Sequence, residues 1–502
     1  MTSPAIENVV IAGGGTAGWM TAVALSKTFQ PRKFSITLVE SDQIGTIGVG
    51  EATIPEVLKF NKAIGLNEDE FIKRTNGSFK LGIEFCNWGK QGDSYIHPFG
   101  KYGTTVGPVP FYHYWNRARK DGYPHSLSEF ALSVKASQQN KFTRPVDIKN
   151  SPLSEIAYAF HFDAGLYAKY LRELAEGYGV TRTEGTINNV TQNDNGFIKE
   201  VHLENGKVIS GDLFIDCTGF RGRLIEQTLN TGYDNWSHYL PCNAAVTTPS
   251  EKLTPLPPYT RATALDAGWQ WRIPLQHRTG NGYVFCDKYI TPEAAQDTMV
   301  KNLNSQPLAE PKLIRFNTGR RRKCWNKNCI AIGLSSGFLE PLESTSIHLI
   351  HEAIANLILL FPDKDCNKPT VDKFNARLEA SYVNIRDFLV LHYKVTQRED
   401  SEFWRYCKNM DVPDTLINKM ELYKESGRIF RDNNELFGEV SWLAVMEGQG
   451  LNTNAYNTMV DCMAKQQLFD QLENIRGVIS RSAENMPEHQ AFINRYCQSP
   501  AK

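Results

Sequence analysis

Gly13, Gly15 and Gly18 have the types and spacing to cradle a pyrophosphate. Glycine at those places permits a tight turn, a close approach of backbone to phosphate, and close packing of helix on strand. Thr16 and Ala17 lie between them, where the opening turn of a helix presents free N–H groups. Glu40 follows Gly18 by about 20 residues, where a βαβ unit sets an acid on the ribose hydroxyls of a dinucleotide. The chemistry on offer is cofactor binding; the plainer alternative is a glycine-rich turn in an α/β domain. Lys80 and Glu343 are the other candidates. In Ser78–Trp88, Phe79, Leu81, Ile83 and Phe85 alternate with other residues, so a strand puts Lys80 on the opposite face. That face is either solvent, the usual place for lysine, or a cavity in which Lys80 is a fixed cation. Glu343 precedes a helix expected to begin near Ser344 or Thr345, and is either placed for chemistry or favoured there by the helix dipole. Ser344 suits the N-cap, and the amides of Thr345 and Ser346 are then first-turn donors able to hold an anion.

The elements that must carry these residues are legible. Val9–Ile11 is a β-branched run, the helix after the glycines runs through Met20, Ala24 and Leu25, and Ser35–Glu40 alternates as a second strand. Gly45–Pro55, which contains Gly50 and Ala52, suits a loop lying against a cofactor, and Pro55 can start a helix. Tyr95–Gly100 and Pro108–Trp115 form an aromatic patch that suits either loops around a flat ligand or a core under a long loop. The turns Asn193–Gly196 and Glu204–Lys207 predict a meander, and Asp212–Arg223 a return to the nucleotide-binding sheet. Trp236–Arg315 is rich in strand formers, and Trp269 and Trp271 alternate, so both indoles point the same way on a strand. Cys329–Gly333 is another buried-type strand. Beyond Pro369 long helical patterns take over. The expected division is an α/β region over 1–368, binding cofactor and substrate, and a mostly helical region over 369–502.

Composition excludes some classes of function. The 502 residues include 55 basic and 55 acidic side chains, so no net charge recruits nucleic acid or anionic membrane. The ten cysteines lack zinc-like spacing and suit buried thiols in a reducing compartment. His348 and His351 have no evident third ligand, so no metal is expected. The first strand begins within about ten residues of the start, leaving no room for a signal peptide. No apolar run approaches the roughly 20 residues of a spanning helix. The expectation is a cytoplasmic protein.

In their order along the chain, these stretches resemble the flavin-dependent halogenases, most closely the tryptophan or indole halogenase type. GGGTAG at Gly13–Gly18 is similar to the family's flavin box, GWQWRIP carries its WxWxIP signature at Trp269, Trp271, Ile273 and Pro274, and GFLEPLEST at Gly337–Thr345 is a third match. The resemblance implies an α/β fold with a Rossmann-type, flavin monooxygenase-like FAD-binding domain. FAD would be held by Gly13, Gly15, Thr16, Ala17, Gly18, Glu40, Gly50, Ala52, Gly333 and Leu334. It implies that Lys80 is the lysine between flavin and substrate, that Glu343 is the catalytic glutamate, and that Ser344 positions substrate. His97 and Phe99 would flank the aromatic substrate, and Thr345 and Ser346 would supply the halide site. FADH2 and O2 would turn bromide or chloride into hypohalous acid, which Lys80 passes to an electron-rich ring while Glu343 stabilises its developing charge. The Trp269 and Trp271 pair is expected to keep substrate away from flavin.

Two departures from the family pattern stand out. Ser346 occupies a place where tryptophan halogenases usually have glycine, which suggests a bromide preference. Ser441-Trp442-Leu443 stands near where a tyrosine-rich segment grips the amino-acid part of tryptophan, which favours indole or another small aromatic. No second nucleotide motif is evident, so a separate flavin reductase is the expected partner. The oligomeric state stays open, a homodimer included. The alternatives are an aromatic hydroxylase on the same fold and a flavin-binding protein without turnover.

Overall fold

The computed structural model describes residues 4–31, 34–43, 50–104, 106–432 and 435–500. Residues 44–49, part of the glycine-rich stretch expected to lie against a cofactor, fall outside them. The chain divides into two units, each assembled from three segments: 1–76, 162–237 and 316–383 form the first, and 77–161, 238–315 and 384–502 the second. Helix Lys368–Lys394, which starts where the sequence placed its single boundary, has residues in both units.

The first unit is built on a six-stranded sheet in the order Trp325–Asn326, Cys329–Ala331, Leu213–Asp216, Asn8–Ala12, Ser35–Glu40, Thr181–Glu184. All pairs are parallel except the edge pair of Trp325–Asn326 with Cys329–Ala331. Parallel strands covered on both faces read as unbroken apolar runs. Accordingly Val9, Val10, Ile11, Leu213, Phe214, Ile215 and Ile330 are buried. Helix Thr16–Thr28 links strand Asn8–Ala12 to its neighbour Ser35–Glu40 and is buried from Gly18 to Ser26. The chain then returns on the other side of Asn8–Ala12 with Leu213–Asp216, so strand order reverses there. The crevice at the carboxyl ends of such a pair is where open α/β sheets bind nucleotides. The meander appears as Ile187–Gln192, Ile198–Leu203 and Val208–Ser210, with Ile198, Val201 and Leu203 packed in a cluster with Val10, Val39 and Phe214.

The second unit contains a seven-stranded sheet in the order Lys312–Arg315, Ala244–Ser250, Thr279–Phe285, Gly268–Pro274, Thr260–Leu265, Gly82–Cys86, Ser94–Pro98. It is antiparallel except where Thr260–Leu265 runs alongside Gly82–Cys86. Directly opposed residues share a face. Ala264 opposes Trp269 and Ala262 opposes Trp271, so two small side chains leave room for two indoles. Ile83 opposes both Thr260 and His97, which puts His97 on that same face.

Ser78–Trp88, expected as one strand, is two. Ser78–Lys80 pairs with Ala159–His161, whereas Gly82–Cys86 belongs to the large sheet. Leu81 is the joint: its N–H donates to the Pro258 carbonyl at 2.7 Å and its carbonyl accepts from Phe99 N–H at 2.8 Å. Gly82 is required beside it, because a Cβ there would lie 2.5 Å from the His97 carbonyl oxygen. Phe79, Leu81, Ile83 and Phe85 are all fully buried, and so is Lys80. The aromatic stretches are likewise not loops: Ser94–Pro98 is a strand, and Phe111–Lys120 is a helix buried from Phe111 to Ala118. The helical patterns near the C-terminus form helices Glu402–Asn409, Asp414–Ser426, Glu439–Gly448, Lys465–Glu484 and His489–Tyr496. No described helix is long and apolar enough to cross a membrane.

Candidate active site

In the first unit the glycine turn is packed so tightly that side chains are excluded from most of it. Gly13 has φ +108°, and a Cβ there would lie 2.3 Å from the Cys217 carbonyl oxygen. A Cβ on Gly18 would lie 1.9 Å from the Gly13 carbonyl oxygen. Gly15 differs: a Cβ added there meets no protein atom within 4 Å, so open space lies over that one residue of the turn. Gly15 also caps helix Thr16–Thr28 without any side-chain hydrogen bond, and the first turn carries no acid. Uncapped first-turn N–H groups under open space fit a pyrophosphate.

Glu40 ends the neighbouring strand and is held firmly. Arg182 Nε donates to its Oε1 at 2.5 Å, and Trp19 Nε1 donates to its Oε2 at 3.3 Å. A carboxylate so oriented retains acceptor capacity for ribose hydroxyls. Gly333, at φ +78°, comes against the same turn, since its added Cβ would lie 2.8 Å from Ala17 Cβ. Asp216, fully buried, fixes the adjacent turn by accepting from the N–H groups of Thr218, Leu224 and Ile225 at 2.8–2.9 Å. Leu334 lies in the short 3₁₀ turn Gly333–Ser335, and Gly50 and Ala52 bound a three-residue strand. Between the last two, Glu51 is a group that sequence reasoning passed over; burial pushes its carboxyl up to about 7.

These contrasts give a test. Gly13→Ala is expected to destabilise the protein with or without flavin, by more than about 1 kcal/mol, since it forces a left-handed alanine against a carbonyl. Gly15→Ala is expected to change apoprotein stability by less than about 0.5 kcal/mol while weakening flavin binding at least roughly tenfold. Thermal unfolding of both apoproteins and a flavin titration check the pair.

Glu343 closes the 3₁₀ turn Pro341–Glu343 and is fully buried, as is Glu340. The helix that follows starts later than expected, at Ser346, with Thr345 rather than Ser344 as its N-cap. Ser344 instead sits in the left-handed region at φ +59° and ψ +39°, a costly place for serine that turns the chain between Glu343 and the helix. Thr345 is fully buried, makes no cap bond, and its Oγ1 has no partner among the described residues. The helix start therefore keeps unpaired N–H groups, which suits a small anion. On the same helix His348 and His351 are buried, and burial lowers them to about 4 and about 3. His351 stacks on Phe60 with ring centroids 4.3 Å apart. Among the described residues no cluster of three His, Cys, Asp or Glu is arranged to hold a metal ion.

The second unit carries Lys80, His97, Phe99 and the two signature tryptophans. Lys80 is fully buried, and its Nζ lies 5.2 Å from the centroid of the Phe99 ring. Desolvating an ammonium is expensive, and a ring face recovers part of that cost. Trp269 and Trp271 are buried with centroids 6.1 Å apart, and Trp271 Nε1 has no partner among the described residues. Ile273 and Pro274 finish the same strand. Around His97 the structure adds rings that the sequence did not single out. Phe388 and Phe437 stack at 3.9 Å, lie 5.7 and 6.2 Å from the imidazole, and Trp442 lies 5.1 Å from Phe388. Trp442 was noted for its place in the sequence, but Phe388 and Phe437 carried no motif that could have marked them.

The fold and these sites define a flavin-dependent enzyme with a Rossmann-type cofactor domain. The family profile for tryptophan halogenase matches residues 8–465, and the chain belongs to that family. It is 37% identical over 518 residues to a 7-chloro-L-tryptophan 6-halogenase of Kutzneria sp. (strain 744), covering 97% of this chain and 99% of the relative. It is 32% identical over 519 residues to a tryptophan 7-halogenase of Lentzea aerocolonigenes, covering 96% of each. Among solved structures, a flavin-dependent halogenase from Xanthomonas campestris superposes with a TM-score of 0.96 at 43% identity, covering 99% of this chain and 100% of that one. Another, from Brevundimonas sp. BAL3, gives 0.95 at 42% identity over 99% of each. The protein is a flavin-dependent halogenase, an oxidoreductase.

Proposed function

We propose that this enzyme halogenates an electron-rich aromatic of the indole class, with Lys80 delivering the halogen and Glu343 assisting the ring. The observation that carries the reading is Lys80 itself, a fully buried ammonium held over an aromatic face rather than on a solvated strand. Reduced flavin, when bound, supplies the oxidising chemistry that turns halide and O2 into hypohalous acid. Gly13, Gly15, Thr16, Ala17, Gly18, Glu40, Gly50, Ala52, Gly333 and Leu334 would hold it, and the amides of Thr345 and Ser346 would hold the halide.

The protein's own groups then steer the electrophile. Lys80 binds hypohalous acid by hydrogen bond or, after losing a proton, exchanges an N–H for an N–halogen bond while the oxygen leaves as water, and in both forms fixes the atom that the ring attacks. As the ring attacks, positive charge develops on it; the Glu343 carboxylate stabilises that charge and takes up the ring proton. Buried aromatic walls from Trp269, Trp271, Phe388, Phe437 and Trp442 exclude bulk water, into which the oxidant would otherwise escape. His97, Phe99 and Ser344 orient the substrate. Ser441-Trp442-Leu443 stands near where the family's tyrosine-rich segment grips the amino-acid part of tryptophan, which favours indole over free tryptophan. A separate flavin reductase supplies FADH2.

Mass spectrometry of indole incubated with enzyme, FAD, a reductase and equal bromide and chloride tests this reading. The expected product is haloindole, with the brominated form in excess because Ser346 adds a side chain at the halide site. A hydroxylated product would overturn the halogen-transfer reading, and a strong chloride preference would overturn the role given to Ser346.

A further inference from the structure

Lys80 follows two residues whose anchoring is polar in an otherwise apolar interior. Ser78 and His161 face each other across the short strand pair, and both are fully buried. Ser78 Oγ donates to the Pro274 carbonyl at 2.7 Å, which spends its only proton. It therefore accepts from His161 Nδ1 at 2.9 Å, and that nitrogen carries the hydrogen. The other ring nitrogen, Nε2, accepts from the Thr260 hydroxyl at 2.9 Å. The order of protons along Thr260, His161, Ser78 and Pro274 is thus fixed from end to end. Pro274 is the last residue of the signature strand, and Thr260 begins the strand beside it.

His489 repeats the device one residue on. Phe79 N–H donates to its Nε2 at 3.2 Å, and its Nδ1 donates to the Leu256 carbonyl at 3.0 Å. Phe79 is further pinned by stacking on Phe142 at 4.1 Å, and Arg144 lies 5.5 Å from the Phe79 ring centroid. Burial, the Lys80 charge and His489 hold the His161 imidazole well below its ordinary value, and burial lowers His489 to about 4. Both rings therefore stay neutral where a second cation would repel Lys80.

We propose that His161 is a positioning residue for Lys80: in its Nδ1–H tautomer it ties the lysine's strand to the Pro274 carbonyl and the Thr260 hydroxyl, fixing the depth at which Nζ sits over Phe99. The inference rests on the halogen-delivering role of Lys80 given above. A polar chain is a poor choice for stability alone, since four desolvated groups must all be satisfied where apolar packing would hold the strands. What the chain adds is direction. Each link fixes a donor and an acceptor at about 3 Å, and a displacement of about 1 Å at a reacting group costs up to about 100-fold in rate.

The test measures coupling, the ratio of halogenated product to flavin oxidised, in the full-length enzyme with FAD, reductase, indole and bromide. His161→Ala is expected to lower coupling about 10- to 100-fold while flavin oxidation stays within about twofold. His161→Gln supplies an N–H to Ser78 and a carbonyl to Thr260, and is expected to recover coupling to within about threefold, with the wild-type pH profile between about pH 6 and 9. Thr260→Val, which keeps the shape and removes one link, is expected to lower coupling about threefold to tenfold with a Tm lowered by only a few degrees, since it leaves the His161 Nε2 acceptor unpaired, and serves if His161→Ala does not fold. Nitrogen NMR of histidine-labelled protein should show the neutral Nδ1–H form throughout that pH range. Wild-type coupling in His161→Ala, or in a folded Thr260→Val, overturns the inference, as does a Gln variant as defective as Ala. A wild-type enzyme without halogenated product overturns the functional reading itself, whereas a productive one that ignores these substitutions overturns only the role of His161.

Discussion

Lys80→Ala is expected to retain FAD binding and oxygen-dependent flavin oxidation and to lose halogenated product by about 10²- to 10⁴-fold. Every residue assigned to the flavin belongs to the first unit and Lys80 to the second, so the substitution removes none of the groups assigned to the cofactor. On the proposed mechanism the group that fixes the electrophile disappears, and hypohalous acid then escapes into solvent or spends itself on protein side chains. Lys80→Met separates charge from volume: it keeps the buried stem, avoids the cavity that alanine leaves, and removes the ammonium. If the loss comes from chemistry, Met and Ala are equally inactive while Met melts closer to wild type. Product by mass spectrometry, flavin oxidation by absorbance and Tm together decide this, and normal product from either variant removes Lys80 from the mechanism.

The burial of Lys80 shows where a sequence stops being readable. The alternation from Phe79 to Phe85 was visible, and all four apolar residues are buried. The alternation could not reveal that the run changes sheets at Leu81, because the partners that force the change, Ala159–His161 and Pro258, are distant in the chain. A solvent-facing lysine is the sound expectation for one continuous strand and the wrong one for two. Ser344 failed for the opposite reason: serine there looks like an N-cap, and only the preceding 3₁₀ turn drives it to φ +59° and passes the cap to Thr345. The nucleotide half was legible because its signals are local. A β-branched run, glycines at fixed spacing and an acid at the next strand's end need no long-range partner to be recognised. Phe388 and Phe437 lie at the other extreme, since nothing local distinguishes an aromatic residue that packs beside His97 from one elsewhere in the core.

Glu343→Gln isolates the last chemical step. Glutamine keeps the shape of a fully buried side chain and removes its charge, so the turn at Pro341–Glu343 and the left-handed Ser344 have no steric reason to move. Halogenation is expected to slow by about 10²- to 10³-fold, the scale for losing a buried group that meets developing charge. Oxidant formation should continue, so a small halogen acceptor added in solution should intercept what the ring no longer captures. The loss should deepen as the substrate ring becomes poorer in electrons, because such a ring depends more on the carboxylate when its cation forms. Adding Glu343→Gln to Lys80→Ala should cost almost nothing further, since the electrophile no longer reaches the step that Glu343 assists. Additive losses in the double variant would mean that the two groups act on separate routes, and an unchanged single-variant rate would take Glu343 out of the reaction.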